Sequence, residues 1–133
     1  MLIVLDTNVL VSGLLSPHGP PARIVDLIVS NAVQVAFDDR VISEYVDVLG
    51  RDRFGFSPRA IRDLIDHVRL SGIHVTPGIV PQLDCPDPDD LPFAELAIAA
   101  GVAALVTGNS ADFTFLAGHG VRVVTPSDFL RLL

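Results

Sequence analysis

The sequence predicts an α/β fold: a three-layer α/β/α sandwich around a central, mostly parallel five-stranded sheet. Three observations predict it. Five short β-branched runs recur along the chain, each apolar on both alternating faces, as strands buried in a parallel sheet are. Helical patterns separate them, which implies βαβ crossovers. Proline and glycine punctuate the joins. At 133 residues, half of them apolar, the chain fits one domain spanning residues 1–133.

The first strand is Leu2–Leu5. A first helix covers Asn8–Leu14, and Pro20-Pro21 opens a second running to about Asn31, with Ile24, Leu27 and Ile28 at helical spacing. Strand two is Val33–Phe37. Asp38 or Asp39 can cap the helix through Leu49, whose Ile42, Tyr45, Val46 and Leu49 share a face. Ser57-Pro58 opens a helix closed by Gly72, with Ile61, Leu64, Ile65 and Val68 inward. Strand three is Ile73–Thr76. Asp89 or Asp90 caps a helix with Pro92 in its first turn and Gly101 past its end. Strands four and five are Ala104–Thr107 and Val121–Thr125, and a short helix follows Pro126.

Composition narrows the function classes. Sixteen acids face nine bases, a net charge of −7. That balance argues against a nonspecific nucleic-acid coat protein. All nine bases are arginine, and fourteen of the acids are aspartate. A lone cysteine, Cys85, excludes an internal disulfide and a multi-cysteine zinc site. The N-terminal MLIVLDTN reads as a strand rather than a signal peptide, and no apolar run is long enough to span a membrane. A cytoplasmic location is expected.

In open parallel sheets, ligands bind at the carboxyl ends of the strands. Asp6 ends the first strand there, followed by Thr7 and Asn8; it could equally be a helix cap. Glu44 lies among valines on the third helix, three residues from Val41 and four from Val48. By itself it reads first as an ordinary boundary glutamate reaching for water, but it is one of two glutamates in a chain that otherwise uses aspartate, so reach is a reason for it. Asp84, Asp87, Asp89 and Asp90 crowd a proline-stiffened loop, where a cation would relieve their repulsion; capping is the bland alternative. Thr107, Gly108, Asn109 and Asp112 follow strand four as further ligand or turn residues. Arg40, Arg51, Arg53 and Arg59 surround the Glu44 helix. Pairing with nearby Asp47, Asp52 and Asp63 is their bland reading. Leu14-Leu15 and Phe54-Gly55-Phe56 are candidate exposed apolar loops that could equally fold into the core. The four histidines sit on unrelated elements and receive no role.

The segments Val4–Ser12, Ser43–Leu49, Asp87–Ala97 and Leu105–Asn109, in this order and at these intervals, resemble the PIN-domain family of metal-dependent ribonucleases. The likeness is greatest to the branch of toxin–antitoxin toxins akin to VapC. The resemblance implies strand order 3-2-1-4-5 and an acidic pocket of Asp6, Glu44 and Asp90. These residues would be catalytic and, with Asp112, would hold Mg²⁺ or Mn²⁺ through hard oxygen ligands. Thr7, or Ser12, matches the family's polar support beside the first aspartate. Asn8, Asp87, Thr107 and Asn109 would support the site. Asn109 stands where many members carry a fourth aspartate, and Asp112 or Asp87 could substitute. The expected chemistry is in-line attack of water on phosphorus with departure of the 3′ oxygen. RNA as substrate, a cognate antitoxin and a homodimer are implied as partners, and Arg40, Arg51, Arg53 and Arg59 become candidates for RNA backbone contact.

Other classes fit less well. A flavodoxin-like phosphoacceptor would want a lysine near the last strand, and this chain has none. A haloacid-dehalogenase-type phosphatase would want Asp-x-Asp after strand one, where Asn8 stands. A PIN-like binding protein without activity remains the alternative that Asn109 leaves open.

Overall fold

A computed structural model describes residues 1–78 and 82–133. Its elements run β1 (Leu2–Leu5), α1 (Thr7–Leu15), α2 (Pro20–Val29), β2 (Gln34–Phe37), α3 (Asp39–Leu49), α4 (Pro58–Ser71), β3 (Ile73–His74), α5 (Leu91–Ala100), β4 (Ala104–Val106), β5 (Val123–Val124) and α6 (Pro126–Arg131). Short 3₁₀ turns cover Asp52–Phe54, Pro88–Asp90 and Ser110–Leu116.

The strands form one parallel sheet in the order β3-β2-β1-β4-β5, the order the resemblance implies. The central strands are dry: Ile3, Val4, Leu5, Val35, Ala36, Leu105 and Val106 are buried. That follows from helices packing over them. α5 packs against β1, β2, β4 and α3, while α2 packs against α1, α4 and α6. Tyr45, Phe113 and Phe129 are the largest fully buried side chains. Each supplies a large apolar area to the core.

The edge strands depart from expectation. β3 stops at His74 and is exposed, and β5 is two half-buried valines. An edge strand pairs on one side only. Pro77-Gly78 cannot extend the β3 ladder, since proline lacks the donor. Thr125 leaves β5 because its hydroxyl caps α6, accepting from the Asp128 amide at 3.2 Å.

Helix ends follow the same logic. Asp38 caps α3, accepting from Val41 N at 2.9 Å, and Ser57 caps α4. The expected cap of α5 by Asp89 or Asp90 is a correction. Asp90 makes no side-chain capping bond to the helix. Asp87 does the local work instead, accepting from the Asp89 amide at 3.0 Å. The 3₁₀ turn Pro88–Asp90 precedes α5, so the capping geometry shifts upstream and Asp90 is left for another role.

Candidate acidic active site

β1, β2 and β4 are neighbours in the sheet, and Asp6, Asp38 and Thr107 directly follow their carboxyl ends. Asp6 is held in the ladder by its amide, which donates to Val106 O at 2.9 Å. Its carboxylate is 9% exposed. Thr107, fully buried, donates its hydroxyl to Asp6 Oδ2 at 2.7 Å. Asn8 Nδ2 donates to the same oxygen at 3.3 Å, while Asn8 Oδ1 accepts from Gly108 N at 3.2 Å. The start of α1 is thereby pinned to the loop after β4. Asn109 N in turn donates to Thr107 Oγ1 at 3.0 Å.

A cleft of about 320 Å³ opens over Asp6. Its walls include Asp6, Thr7, Asn8, Ser12, Glu44, Arg53, Phe54, Asp89 and Asp90. The three carboxylates expected to meet therefore line one space, although they come from β1's end, α3 and the turn before α5. Glu44 reaches the cleft because Tyr45 beside it anchors α3. The Tyr45 hydroxyl, buried and held protonated by desolvation, donates to Leu5 O at 2.5 Å. The residue bearing Glu44's neighbour is thus tied to the residue before Asp6.

Charge crowding marks the site. Burial raises the Asp90 carboxyl to about 6, and the charges of Asp6, Asp87, Asp112 and Asp89 add to the effect. Burial also raises Asp6, opposed by the Thr107 and Thr7 hydrogen bonds and helped by Asp112. Glu44 is raised by burial, then by Asp89 and Asp47, against the Arg51 charge. Asp87 and Asp112 are exposed and act on these groups through their charge. Such mutual strain is what a cation would relieve.

The donor set fits a hard divalent ion: carboxylate oxygens with a threonine hydroxyl beside them. Thr7 supplies a specific sign. It is 6% exposed, lines the cleft, and its Oγ1 has no hydrogen-bond partner among the described residues. A buried hydroxyl left without a partner is costly unless a ligand or water completes it. The same residues do not form a closed cage. Among the described residues, no three His, Cys, Asp or Glu side chains converge as preformed metal ligands. Bare carboxylates repel one another, which keeps such a pocket open.

Sequence reasoning missed Asp89 as a wall of this cleft, having read it as a cap; its place in the four-acid loop was the available signal. It also read Asp38 only as a cap and left Glu95 without a role. Arg40 bonds both, Asp38 Oδ2 at 2.9 Å and Glu95 Oε1 at 2.6 Å. Arg51 pairs with Asp47 at 3.3 Å. Arg40 and Arg51 are therefore engaged by acids, whereas Arg53 lies over the Phe54 ring, 4.8 Å from its centroid. Arg59 is exposed on α4. Of the two outcomes left open, Leu14 and Leu15 are exposed, at 37% and 53%, whereas Phe54 and Phe56 pack against the core edge. A larger groove of about 590 Å³ lies between α3 and α4, lined by Val46, Phe56, Ile61 and Ile65. It lacks a comparable group of carboxylates.

A family model described as PIN domain matches residues 2–111. The match takes in Asp6, Glu44, Asp90 and Asn109 and stops short of Asp112. No curated protein matches the chain.

Proposed function

Because the chain belongs to the PIN domain family, a nuclease fold, we propose that it hydrolyses RNA phosphodiester bonds with Mg²⁺ or Mn²⁺ held by Asp6, Glu44 and Asp90. One observation carries the reading. Three carboxylates from distant parts of the chain line a single cleft, with the unpartnered Thr7 hydroxyl among them.

When bound, the ion would neutralise the phosphate and acidify a water. The chain's own residues prepare for that. Thr107 and Asn8 both bond Asp6 Oδ2, which fixes the plane of the carboxylate. Asp90, with a carboxyl at about 6, is mostly ionised at neutral pH and so available as a ligand. Glu44 supplies a longer arm from α3. Asp112, exposed and outside the cleft lining, acts on Asp6 and Asp90 through its charge and is the nearby acid that Asn109 does not supply. No histidine lines the cleft among the described residues, so proton transfer falls to carboxylates and water.

Asp6→Asn should abolish RNA cleavage while preserving the fold. Cleavage by that variant at the parent rate would sink the assignment. The competing reading, an inactive PIN-like binding protein, is favoured by Asn109 and by the absence of a preformed ligand cage among the described residues. A Mn²⁺ thermal-shift titration separates the two. A working site gives metal-dependent stabilisation that Asp90→Ala removes; the inert reading gives none.

The same proposal extends to a biological role as the toxin of a toxin–antitoxin pair, acting as a homodimer. Exposed Leu14 and Leu15 at the end of α1 offer apolar surface for the antitoxin or a second copy. A short antitoxin-like reading frame beside the gene, and co-purification of its product, would support the role. Sedimentation would read the dimer. No described helix is long and apolar enough to cross a membrane.

A further inference from the structure

A polyanionic strand entering the acidic cleft needs positive charge beyond one divalent ion. Among the described residues, Arg53 is the one base lining that cleft. It sits just past α3, in the 3₁₀ turn Asp52–Phe54, and is exposed. Its setting differs from that of the other two arginines near Glu44. Arg40 spends its N–H groups on Asp38 and Glu95, and Arg51 donates to Asp47. Arg53 is held instead by the face of Phe54, which Phe56 backs at 5.8 Å between ring centroids.

A ring face attracts a guanidinium without accepting its N–H bonds in the way a carboxylate does. The planar fork is thereby steadied while its donors stay free. Among described acids, none pairs with it within 4.0 Å. Five free donors on a preoriented fork match a phosphate.

We infer that Arg53, held over Phe54 at the cleft, grips a backbone phosphate of single-stranded RNA next to the bond that is cut. This rests on the nuclease reading. Phe54 is a positioning residue that keeps the guanidinium over the cleft. The contact carries no base information, so it tightens binding to every sequence alike.

The test uses the full chain carrying Asp6→Asn, so that RNA is bound but not cut. A labelled, mixed-sequence single-stranded oligoribonucleotide is titrated in Mg²⁺ across a KCl series, with fluorescence anisotropy as readout. Adding Arg53→Ala should raise Kd about tenfold. It should also flatten the slope of log K against log salt by about 0.7, the value for one phosphate on a single strand. Arg53→Lys should keep the slope and lose part of the affinity. Phe54→Leu should weaken binding with the slope intact. Arg62→Ala, in the groove between α3 and α4, is the control. If Arg53→Ala changes Kd and slope no more than Arg62→Ala does, the inference is overturned while the nuclease reading stands. If the Asp6→Asn parent binds no RNA at all, both fall together.

Discussion

Thr107 and Asp6, 101 positions apart, are joined by a 2.7 Å hydrogen bond in a buried setting. The bond spans the ends of two neighbouring parallel strands, β1 and β4. It lowers the Asp6 carboxyl against the burial that raises it. Thr107→Val keeps the shape and deletes the donor. Asp6 should then bind a proton more tightly, so the acidic limb of the activity profile should move to higher pH while alkaline-side activity persists. Thr107→Ser should restore its position. A pH–rate profile of the three proteins checks this.

Acid dependence has a definite sign. Asp90 has its carboxyl raised to about 6 in the folded chain, above its ordinary value. The folded state therefore holds that proton more tightly than the unfolded chain does. Metal-free protein should lose stability as pH rises from about 4 through about 6, and Asp6 and Glu44 act in the same direction. Asp90→Asn should flatten that decline and raise Tm at pH 7 in EDTA. With Mn²⁺ the trend reverses, because ion and proton compete for the same oxygens. Melting curves across pH, with and without Mn²⁺, would read both slopes.

Arg40 ties two site-bearing helices together. Asp38 precedes α3, which carries Glu44, and Glu95 lies on α5, which follows Asp90. Arg40 bonds both. Arg40→Met should cost about 1–2 kcal/mol, since it leaves the buried Asp38 carboxylate short of a partner. Mn²⁺ affinity should fall with it, while the RNA salt slope stays unchanged. A flattened salt slope would instead assign Arg40 to phosphate contact. Urea unfolding and isothermal titration separate these outcomes.

Gly72 marks a close approach between α4 and β2. A Cβ there would meet Val35 O at 2.4 Å and Val68 O at 2.5 Å, both rigid backbone. Gly72→Ala should therefore destabilise the fold by about 1–3 kcal/mol. The site itself is distant, so residual activity per folded molecule should be unchanged. Denaturant midpoints paired with active-fraction assays test this.

Much of this was legible in the residues themselves. Buried strands announce themselves because a parallel sheet needs apolar side chains on both faces, as Ile3, Val4 and Leu5 show. Asp6 and Thr107 were readable as residues at strand ends. What sequence could not give was pairing across distance. Nothing local tells that Arg40 reaches Glu95, 55 positions on, rather than solvent. Asp89 illustrates the same limit: cap and cleft wall draw on one residue type, and only the fold decides. The short edge strands escaped because Thr76 and Thr125 have strand propensity, yet Pro77 after the one and the α6 cap at the other claimed them.

The central place of β1, between β2 and β4, has a consequence for how the chain is made. Asp6 leaves the ribosome 101 residues ahead of Thr107. A growing or prematurely released chain holds the first carboxylate without the hydroxyl that orients it. On the proposed reading, the orienting hydroxyl reaches Asp6 only when a later strand docks beside an earlier one.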